Sequence, residues 1–392
     1  MDNFKYKHLF EPIRLGNQVF KNRLFASPTG FQDVDFSGVL PPEAAAFYER
    51  KARGGVASVA TCECIVDTEF GLGGSRHFRI DNPAAHYSLA RIAHAVSRHG
   101  AVATAELQHT GMYANRELAM FGGGSTGTAY GPVEMEVNGR IVLPMDEAFI
   151  ERTISKYVDA AVTAKNMGFG MVMIHAGHGW MLQQFLSPAL NTRTDKWGGP
   201  DIENRARLLV TICDAIKKAC GRGFPIEVRI SGSEVYEGGY GIEEGIKISK
   251  QLDGHCDLIH VSAGSHEVDE VFTVTHPSMF QEDGVNVKYA AEIKKHVNTA
   301  VATVGALGDP DLMEEIIATG KADAAPAFDK AITEDAWGAP VASINKDTAN
   351  AVLHNYKATP DGNDTSRLTV GTQMIACCSS YKYVPHLLVV YK

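Results

Sequence analysis

The chain is 392 residues long, with 45% hydrophobic and 21% charged residues and a net charge of −9 from 37 Lys and Arg against 46 Asp and Glu. This composition is that of an ordinary globular protein and excludes extensive disorder. It offers no broad cationic surface, so we expect neither a nucleic-acid partner nor binding to an anionic membrane. The length exceeds the roughly 100–200 residues of a typical domain but suits one elaborated α/β barrel with an appendage.

The N-terminal segment lacks the apolar core of a secretion signal, and no run of about 18 apolar residues could span a membrane. We therefore expect a cytoplasmic protein. The seven cysteines are odd in number and widely spaced, which indicates reduced thiols rather than a disulfide framework. Cys62 and Cys64 are two residues apart rather than three, and no C-x-x-C motif follows, so we expect neither a zinc site nor a 4Fe–4S cluster.

Short apolar, β-branched runs alternate with helix-like segments along the chain, which is the pattern of repeated βα units. In chain order the predicted strands are 23–27, 56–66, 101–108, 171–175, 226–231, 258–262 and 300–304, with 322–328 as a weaker eighth. The predicted helices between them are 43–53, 83–98, 147–167, 202–220, 242–252, 287–297 and 310–318. Several of these helices begin at Asp or Asn followed by Pro or an acidic residue.

Seven or eight consecutive βα units predict a (βα)8 TIM barrel rather than an open doubly wound sheet. The turn after the first strand reads Ser27-Pro28-Thr29-Gly30 and lacks the glycine-rich pattern of a dinucleotide-binding fold. The segment 111–144 is predicted to form a lid or hairpin over the barrel mouth. The βα rhythm stops after about Trp337, so we assign residues 1–337 to the barrel domain and 338–392 to an irregular C-terminal tail of unknown role.

The fourth predicted strand ends in two imidazoles, His175 and His178, in a turn bordered by glycines. Catalytic groups of such barrels lie at the carboxyl ends of the strands. Both imidazoles could donate hydrogen bonds to one carbonyl or phenolate oxygen and stabilise enolate-like charge without a metal. Zinc ligation or a purely structural role remains an alternative, although no H-E-x-x-H pattern is present.

Alternation along the fifth predicted strand places Glu227, Arg229 and Ser231 on one face and two aliphatic residues on the other. If the aliphatic face packs against helices, Arg229 points into the barrel. A buried guanidinium needs an anion there, or the electron-rich atoms of a cofactor. A buried Arg–Glu pair is the structural alternative.

Other strand ends could hold a flat, phosphorylated cofactor. Glu106 and Gln108 share one face of the third strand and could hydrogen-bond the edge of a planar heterocycle. The small groups at 27–29 would let a flat ring approach closely. Backbone N–H groups near Val304 and Gly305 could reach a phosphate. Packing alone would explain any one of these features equally well.

Six motifs together resemble the Old Yellow Enzyme family. They are N-R-L-F-A-S-P-T at 22–29, E-L-Q-H-T-G-M-Y-A at 106–114, I-H-A-G-H-G-W-M-L-Q-Q-F-L-S-P-A-L-N-T-R-T-D-K-W-G-G-P at 174–200, E-N-R-A-R at 203–207, E-V-R-I-S at 227–231 and V-G-A-L-G-D-P-D-L-M-E-E-I-I-A-T-G-K-A-D at 304–323. The resemblance covers about residues 7–337. It is to the branch of 2,4-dienoyl-CoA reductases and bile-acid-inducible NADH-dependent flavin oxidoreductases.

This resemblance implies an FMN-containing (βα)8 barrel that takes hydride from NADH or NADPH and passes it to the C=C bond of a small unsaturated carbonyl compound or enoyl thioester. It implies that His175 and His178 hold the substrate oxygen. The residues it places against the flavin are Ser27, Pro28, Thr29, Glu63, Glu106 and Arg229, with Val304 and Gly305 at the phosphate. Arg229 would stabilise negative charge on the reduced ring.

The chain departs from the family pattern at three positions. Glu106 replaces the usual Gln, and as a carboxylate it would accept a hydrogen bond from flavin N3–H but repel a reduced anionic ring. Trp180 replaces a proton-donating Tyr, so Tyr113 or water must supply the proton to the α-carbon. Asp329-Lys330 replaces the usual Gly-Arg of the phosphate site, where Lys330 could act as a point charge.

Two further functions stay open at this stage. The altered phosphate motif would also suit a truncated or degenerate barrel with weak or no flavin binding. A metal-dependent barrel hydrolase using His175, His178 and Glu106 is an alternative enzyme class. Assembly into a homo-oligomer is compatible with the sequence.

Overall fold

The computed structural model describes residues 5–31, 34–74, 77–114, 128–137, 139–266, 271–277 and 280–327. Its strands in chain order are β1 (Ile13–Leu15), β2 (Gln18–Phe20), β3 (Leu24–Ala26), β4 (Ser58–Ile65), β5 (Phe78–Arg79), β6 (Val102–Gln108), β7 (Ala129–Gly131), β8 (Met135–Val137), β9 (Arg140–Pro144), β10 (Met171–Ala176), β11 (Ile226–Ser231), β12 (Leu258–Ser262), β13 (Ala300–Thr303) and β14 (Ala325–Ala327).

The helices lie between these strands. They are α1 (Pro42–Arg53), α2 (His86–Ser97), α3 (Glu147–Asn166), α4 (Met181–Leu186), α5 (Ile202–Cys220), α6 (Ile242–Leu252), α7 (Phe272–Thr275), α8 (Val287–Lys294) and α9 (Pro310–Ala318). Asp146 and Asp309, each followed by an acidic residue or Pro, accept a hydrogen bond from a backbone N–H of the first turn, as that pattern predicts. Asp201 caps α5 in the same way. The predicted helix 83–98 divides into a 3-10 turn, Pro83–Ala85, followed by α2.

Eight parallel strands form the barrel, in the order β3, β4, β6, β10, β11, β12, β13 and β14. The last strand closes the ring: β14 pairs with β3, and a bridge between Ala302 and Ala324 joins it to the β13 side. The predicted (βα)8 barrel is therefore confirmed, including the eighth strand, for which the sequence pattern was weakest.

The barrel wall separates two apolar regions. On the outside, Val228 and Ile230 of β11 belong to the same buried cluster as Ile212 and Ile216 of α5. Because neighbouring side chains along a strand point to opposite faces, this packing directs Arg229 to the barrel interior, as predicted.

Inside the barrel, the end formed by the amino termini of the strands is closed by an apolar cluster, here called the barrel floor. The β1–β2 hairpin, which the sequence pattern did not predict, contributes three of its side chains. The floor consists of Ile13, Leu15, Phe20, Phe25, Ala57, Met171, Leu258, Ala302 and Ala324.

The opposite end of the barrel is bordered by a small sheet of β7, β9 and β8. The pairing of β8 with β9 is antiparallel, which confirms the hairpin predicted within 111–144. Ala129 and Val142 of this sheet pack with Tyr113 and Trp180, which follow β6 and β10. Residues 115–127 of that segment, Lys330 and the predicted tail 338–392 lie outside the described residues.

Two further expectations concern membrane-spanning helices and the cysteines. Within the described ranges, no helix has the length and apolar character needed to cross a membrane. The five cysteines in those ranges are free and buried: Cys62, Cys64, Cys213, Cys220 and Cys256.

Candidate active site

A line of hydrogen bonds crosses the barrel mouth through His175 and His178. His175 Nδ1 lies 2.6 Å from Gln108 Oε1, and His175 Nε2 lies 2.8 Å from His178 Nδ1. His178 Nε2 lies 2.8 Å from Ser262 Oγ. The line therefore joins the carboxyl ends of β6, β10 and β12, and it brings together both predicted catalytic histidines.

His178 is fixed by its backbone as well as by its ring. It has a positive φ of 59°, which is uncommon for a residue other than glycine. Its backbone N–H donates to Ser231 Oγ at 3.1 Å, and its carbonyl accepts from the N–H of His266 at 2.9 Å. Ser231 ends β11 and His266 lies in the turn after β12, so the left-handed turn is held by two other parts of the barrel.

Burial lowers the pKa of both histidines well below the usual value, and the charge of Arg229 lowers it further. Both rings are therefore neutral at pH 7, with one donor and one acceptor nitrogen each. The amide oxygen of Gln108 makes His175 Nδ1 a donor, so His175 Nε2 accepts from His178 Nδ1. His178 Nε2 then accepts from the Ser262 hydroxyl. In this arrangement both imidazole N–H groups are engaged, unlike the sequence expectation that both donate to one substrate oxygen.

A second cluster lies beside this line, around Arg229. Glu106 Oε1 is 3.7 Å from Arg229 Nη1 and 3.2 Å from His175 Nδ1. Glu63 lies opposite Glu106 in the pairing of β4 with β6, at a register shift that inserts one extra residue into β4 after Ala60. The predicted residues Glu63, Glu106 and Arg229 are thus brought together, and the Arg–Glu contact raised as an alternative is present.

Sequence reasoning missed the partners of these residues. Glu227 is bound to His260, with 2.6 Å between Oε1 and Nδ1, and both side chains are buried in the barrel. Ser262 and Ser231, which hold the His178 ring and backbone, were also not singled out for these roles. The alternation of inward and outward side chains that placed Arg229 inside the barrel could also have identified His260 and Ser262. In the pairing of β11 with β12 these two residues lie opposite Arg229 and Ser231, on the same face.

The turn after β3 places Ser27, Pro28 and Thr29 in buried positions at the mouth. Ser27 N–H donates to Ala327 O at 3.1 Å, which ties the turn to the last strand. Thr29 Oγ1 donates to the Ser27 carbonyl, and the Thr29 carbonyl accepts from the Tyr48 hydroxyl. The turn is therefore a fixed, compact surface, as a close approach of a flat ring would need.

The predicted phosphate position after β13 is partly occupied by the protein itself. The Val304 N–H donates to Val261 O at 3.2 Å, so this amide is not free to bind a phosphate. The Val304 carbonyl accepts from Asn286 Nδ2. Gly305 has a φ of 132°, and a Cβ added there would meet Asn286 Nδ2 at 2.5 Å. Glycine is thus required at 305 by conformation and by the packing of Asn286.

The third predicted catalytic residue, Tyr113, lies at the end of the 3-10 turn after β6 and is buried. Its ring is 6.1 Å from that of Trp180 and perpendicular to it. Trp180 is in turn 5.2 Å from the ring of His266. Tyr113 therefore lies one aromatic ring away from the residues that surround His178.

Several buried polar atoms at the mouth lack a hydrogen bond to any residue that the structure describes. Ser27 Oγ, Glu106 Oε1, Gln108 Nε2 and Arg229 Nε are among them. Leaving such groups unpaired costs roughly 1–3 kcal/mol each, so they mark places where a ligand can bind. A planar heterocycle with carbonyl and imide N–H groups along its edge fits this mixture of donors and acceptors.

The hydrolase alternative needed a metal-binding set built on His175, His178 and Glu106. Across the described part of the chain, no group of three or more His, Cys, Asp or Glu side chains has a geometry that could hold a metal ion. The two imidazoles bind each other and their polar neighbours instead. The geometry gives that alternative no support.

Comparison with known proteins agrees with this fold. The model of the NADH:flavin oxidoreductase / NADH oxidase family matches residues 8–327. The chain is 34% identical over 333 residues to an NADH oxidase of Thermoanaerobacter brockii, a match covering 85% of this chain and 50% of that protein. It thus spans about half the length of this relative.

Two solved structures share the barrel. A 2-naphthoyl-CoA reductase bound to 2-naphthoyl-CoA superposes with a TM-score of 0.77 and 26% identity, covering 84% of this chain and 51% of that one. An Old Yellow Enzyme homologue from Zymomonas mobilis gives a TM-score of 0.68 over 82% of this chain and 88% of the other. At 21% identity, the second likeness concerns the fold alone.

Proposed function

Since the chain belongs to the NADH:flavin oxidoreductase / NADH oxidase family, we propose that it is an FMN-dependent ene-reductase. It transfers hydride from NADH or NADPH to the C=C bond of an α,β-unsaturated carbonyl compound or an enoyl thioester. The observation that carries this proposal is the His175–His178 pair at the end of β10, beside Arg229 and the unpaired polar atoms of the mouth. FMN, when bound, supplies the hydride acceptor and donor of the reaction.

The chain's own residues would hold the flavin by its polar edge. Arg229 provides a positive charge and Glu106 and Gln108 provide hydrogen-bonding groups, while the compact turn of Ser27, Pro28 and Thr29 lets a flat ring approach. Glu63 lies beside Glu106 and contributes a further carboxyl group. For the phosphate, the backbone at Gly305 remains the candidate, together with Lys330 beyond the described residues.

The two histidines would hold the substrate carbonyl oxygen. That oxygen can replace His175 as the acceptor of the His178 Nδ1–H. His175 can donate from Nε2 once its proton moves there from Nδ1 and the Gln108 amide rotates so that Nε2, rather than Oε1, faces His175 Nδ1. Binding thus exchanges one imidazole–imidazole hydrogen bond for two bonds to the substrate. Both donors stabilise the negative charge that develops on the oxygen when hydride reaches the β-carbon.

The α-carbon of the substrate also needs a proton, and Trp180 cannot donate one. Tyr113 is our candidate donor, because a phenol, whose ordinary pKa is about 10, is protonated at neutral pH and can donate a proton. Its ring lies against Trp180, the residue at the family's usual tyrosine position.

Titration of the purified chain with FMN tests the proposal. We expect a dissociation constant at or below about 1 μM, and a weaker constant for riboflavin, which shares the ring but lacks the phosphate. The loaded protein should oxidise NADH or NADPH faster with 2-cyclohexenone than with the saturated ketone cyclohexanone. A millimolar constant for FMN would instead support the degenerate, flavin-free barrel.

A further inference from the structure

Glu106 is a carboxyl group in an environment that does not suit a carboxylate. Glu106 is only 2% exposed, and its Oε1 makes no hydrogen bond within the described part of the chain. His175 Nδ1 at 3.2 Å and Arg229 Nη1 at 3.7 Å are close to this oxygen, but neither forms a hydrogen bond with it. A buried carboxylate normally keeps its charge only when hydrogen bonds or a close ion pair compensate for the lost water.

The charges around Glu106 make ionisation harder still. The charges that act on Glu106 are those of two further carboxyl groups, Glu63 and Glu227, and one guanidinium, Arg229. Glu63 lies directly opposite Glu106 in the strand pairing, where like charges destabilise a sheet. His175 faces Glu106 from β10 as a neutral ring. One positive charge cannot balance three negative ones in a water-poor barrel.

The structure also indicates which of the three carboxyl groups takes the proton. Glu227 accepts a hydrogen bond from His260 Nδ1 at 2.6 Å. Burial raises the pKa of Glu63 as well, but a backbone hydrogen bond lowers it and the residue is partly exposed. Glu106 has neither advantage. Burial raises its pKa well above the usual range, and the charge of Glu63 adds to this rise, against the lowering effect of Arg229.

We propose that Glu106 is a neutral carboxylic acid and meets the polar edge of the flavin with one O–H donor and one C=O acceptor, as a carboxamide would. The contact to flavin rests on the proposed function. The protonation state does not, because it follows from the barrel interior alone. A neutral Glu106 also places no negative charge beside the reduced ring, so the repulsion expected from a carboxylate at this position does not arise.

Infrared spectroscopy of the flavin-free protein tests the protonation state. We expect a carbonyl-stretch band of a protonated, buried carboxylic acid at neutral pH, absent from Glu106→Gln and retained in Glu63→Gln. Absence of the band, or its loss in Glu63→Gln with retention in Glu106→Gln, would overturn the proposal. This readout stands even if the chain binds no flavin.

The pH dependence of FMN binding tests the contact. The FMN dissociation constants of the wild type and of Glu106→Gln are measured between about pH 6 and pH 10. The ratio of the wild-type constant to the variant constant should be near one at pH 6. Above the pKa of Glu106 it should rise by about tenfold per pH unit, because binding then requires a proton that the free protein has lost. The ratio cancels the titration of FMN itself. A ratio that stays flat, or a Glu106→Gln variant that binds FMN much more weakly at pH 6, contradicts the contact while leaving the infrared result intact.

Discussion

The two ends of the barrel interior are built by the same strands but have opposite chemistry. β10 contributes Met171 to the floor and His175 to the mouth, and β12 contributes Leu258 to the floor and Ser262 to the mouth. The floor is apolar and filled, whereas the mouth carries ionisable side chains with unpaired atoms. The amino-terminal ends of the strands therefore contribute to stability, and the carboxyl ends carry the candidate catalytic groups. Substitutions at the floor should change the free energy of unfolding, and substitutions at the mouth should change the reaction rates.

The largest effect is expected at the mouth, from replacing both His175 and His178 by Ala. Loss of a donor to a developing oxyanion typically slows a reaction by about 10²–10³-fold, and here two donors are lost. Reduction of the enzyme by NADH needs no oxyanion donor and should stay nearly intact. Stopped-flow measurement of the two half-reactions separates these outcomes, with slow reoxidation by the unsaturated substrate as the expected result.

The matched control is His255→Ala, because His255 lies outside the barrel with Asp214 as its partner. It should leave both half-reactions at the wild-type rate. If the double variant slows both half-reactions equally, the histidines position the flavin rather than the substrate, and the assignment is wrong.

At the floor, Phe20→Ala should lower the free energy of unfolding by about 3–5 kcal/mol, because it leaves a cavity in a fully buried cluster. The Phe20 ring stacks on Phe25 at 5.0 Å. Denaturant titration measures the loss, and the protein that remains folded should bind FMN with unchanged affinity.

Val19→Ala provides the comparison on the same hairpin, since Val19 is 52% exposed and points away from the floor. It should change the free energy of unfolding by less than about 0.5 kcal/mol. A Phe20→Ala variant that is equally stable, or one that loses FMN affinity while folded, would show that floor and mouth are not independent.

The smallest effect concerns Tyr113, which lies at the edge of the mouth. Tyr113→Phe should slow reduction of the unsaturated substrate by about 10²-fold, the lower end for a lost proton donor, because water can replace the phenol in part. Tyr130→Phe, in the neighbouring sheet against Phe149, is the matched control and should leave the rate unchanged. If Tyr113→Phe has no effect and Trp180→Tyr accelerates the reaction, water is the donor.

The repeating part of the molecule could be predicted from sequence because each βα unit repeats the same pattern. The predicted strands 226–231 and 258–262 coincide with β11 and β12. The inward direction of Arg229 followed from the aliphatic residues on either side of it, which pack outside as expected. His175 and His178 could be assigned to the mouth because strand ends of a barrel meet there.

The features that escaped prediction depend on contacts between distant parts of the chain. The β1–β2 hairpin is too short to show a periodic pattern, and its role appears only when the floor is assembled. The extra residue in β4 places Glu63 opposite Glu106, and no pattern in the sequence of β4 predicts this extra residue. The engagement of the Val304 N–H with Val261 likewise depends on the neighbouring strand, so the sequence alone suggested a free amide.

Closure of the barrel between β14 and β3 has a consequence for how the chain folds. Arg23 donates to the Asp323 carbonyl across a separation of 300 residues, and Ala325 pairs with Leu24. The floor cannot be completed until this last strand has been synthesised, since it includes both Phe20 and Ala324. Contacts between residues so far apart in the chain form late, so during translation the early hairpin and strands keep apolar surface uncovered until Ala324 has been synthesised.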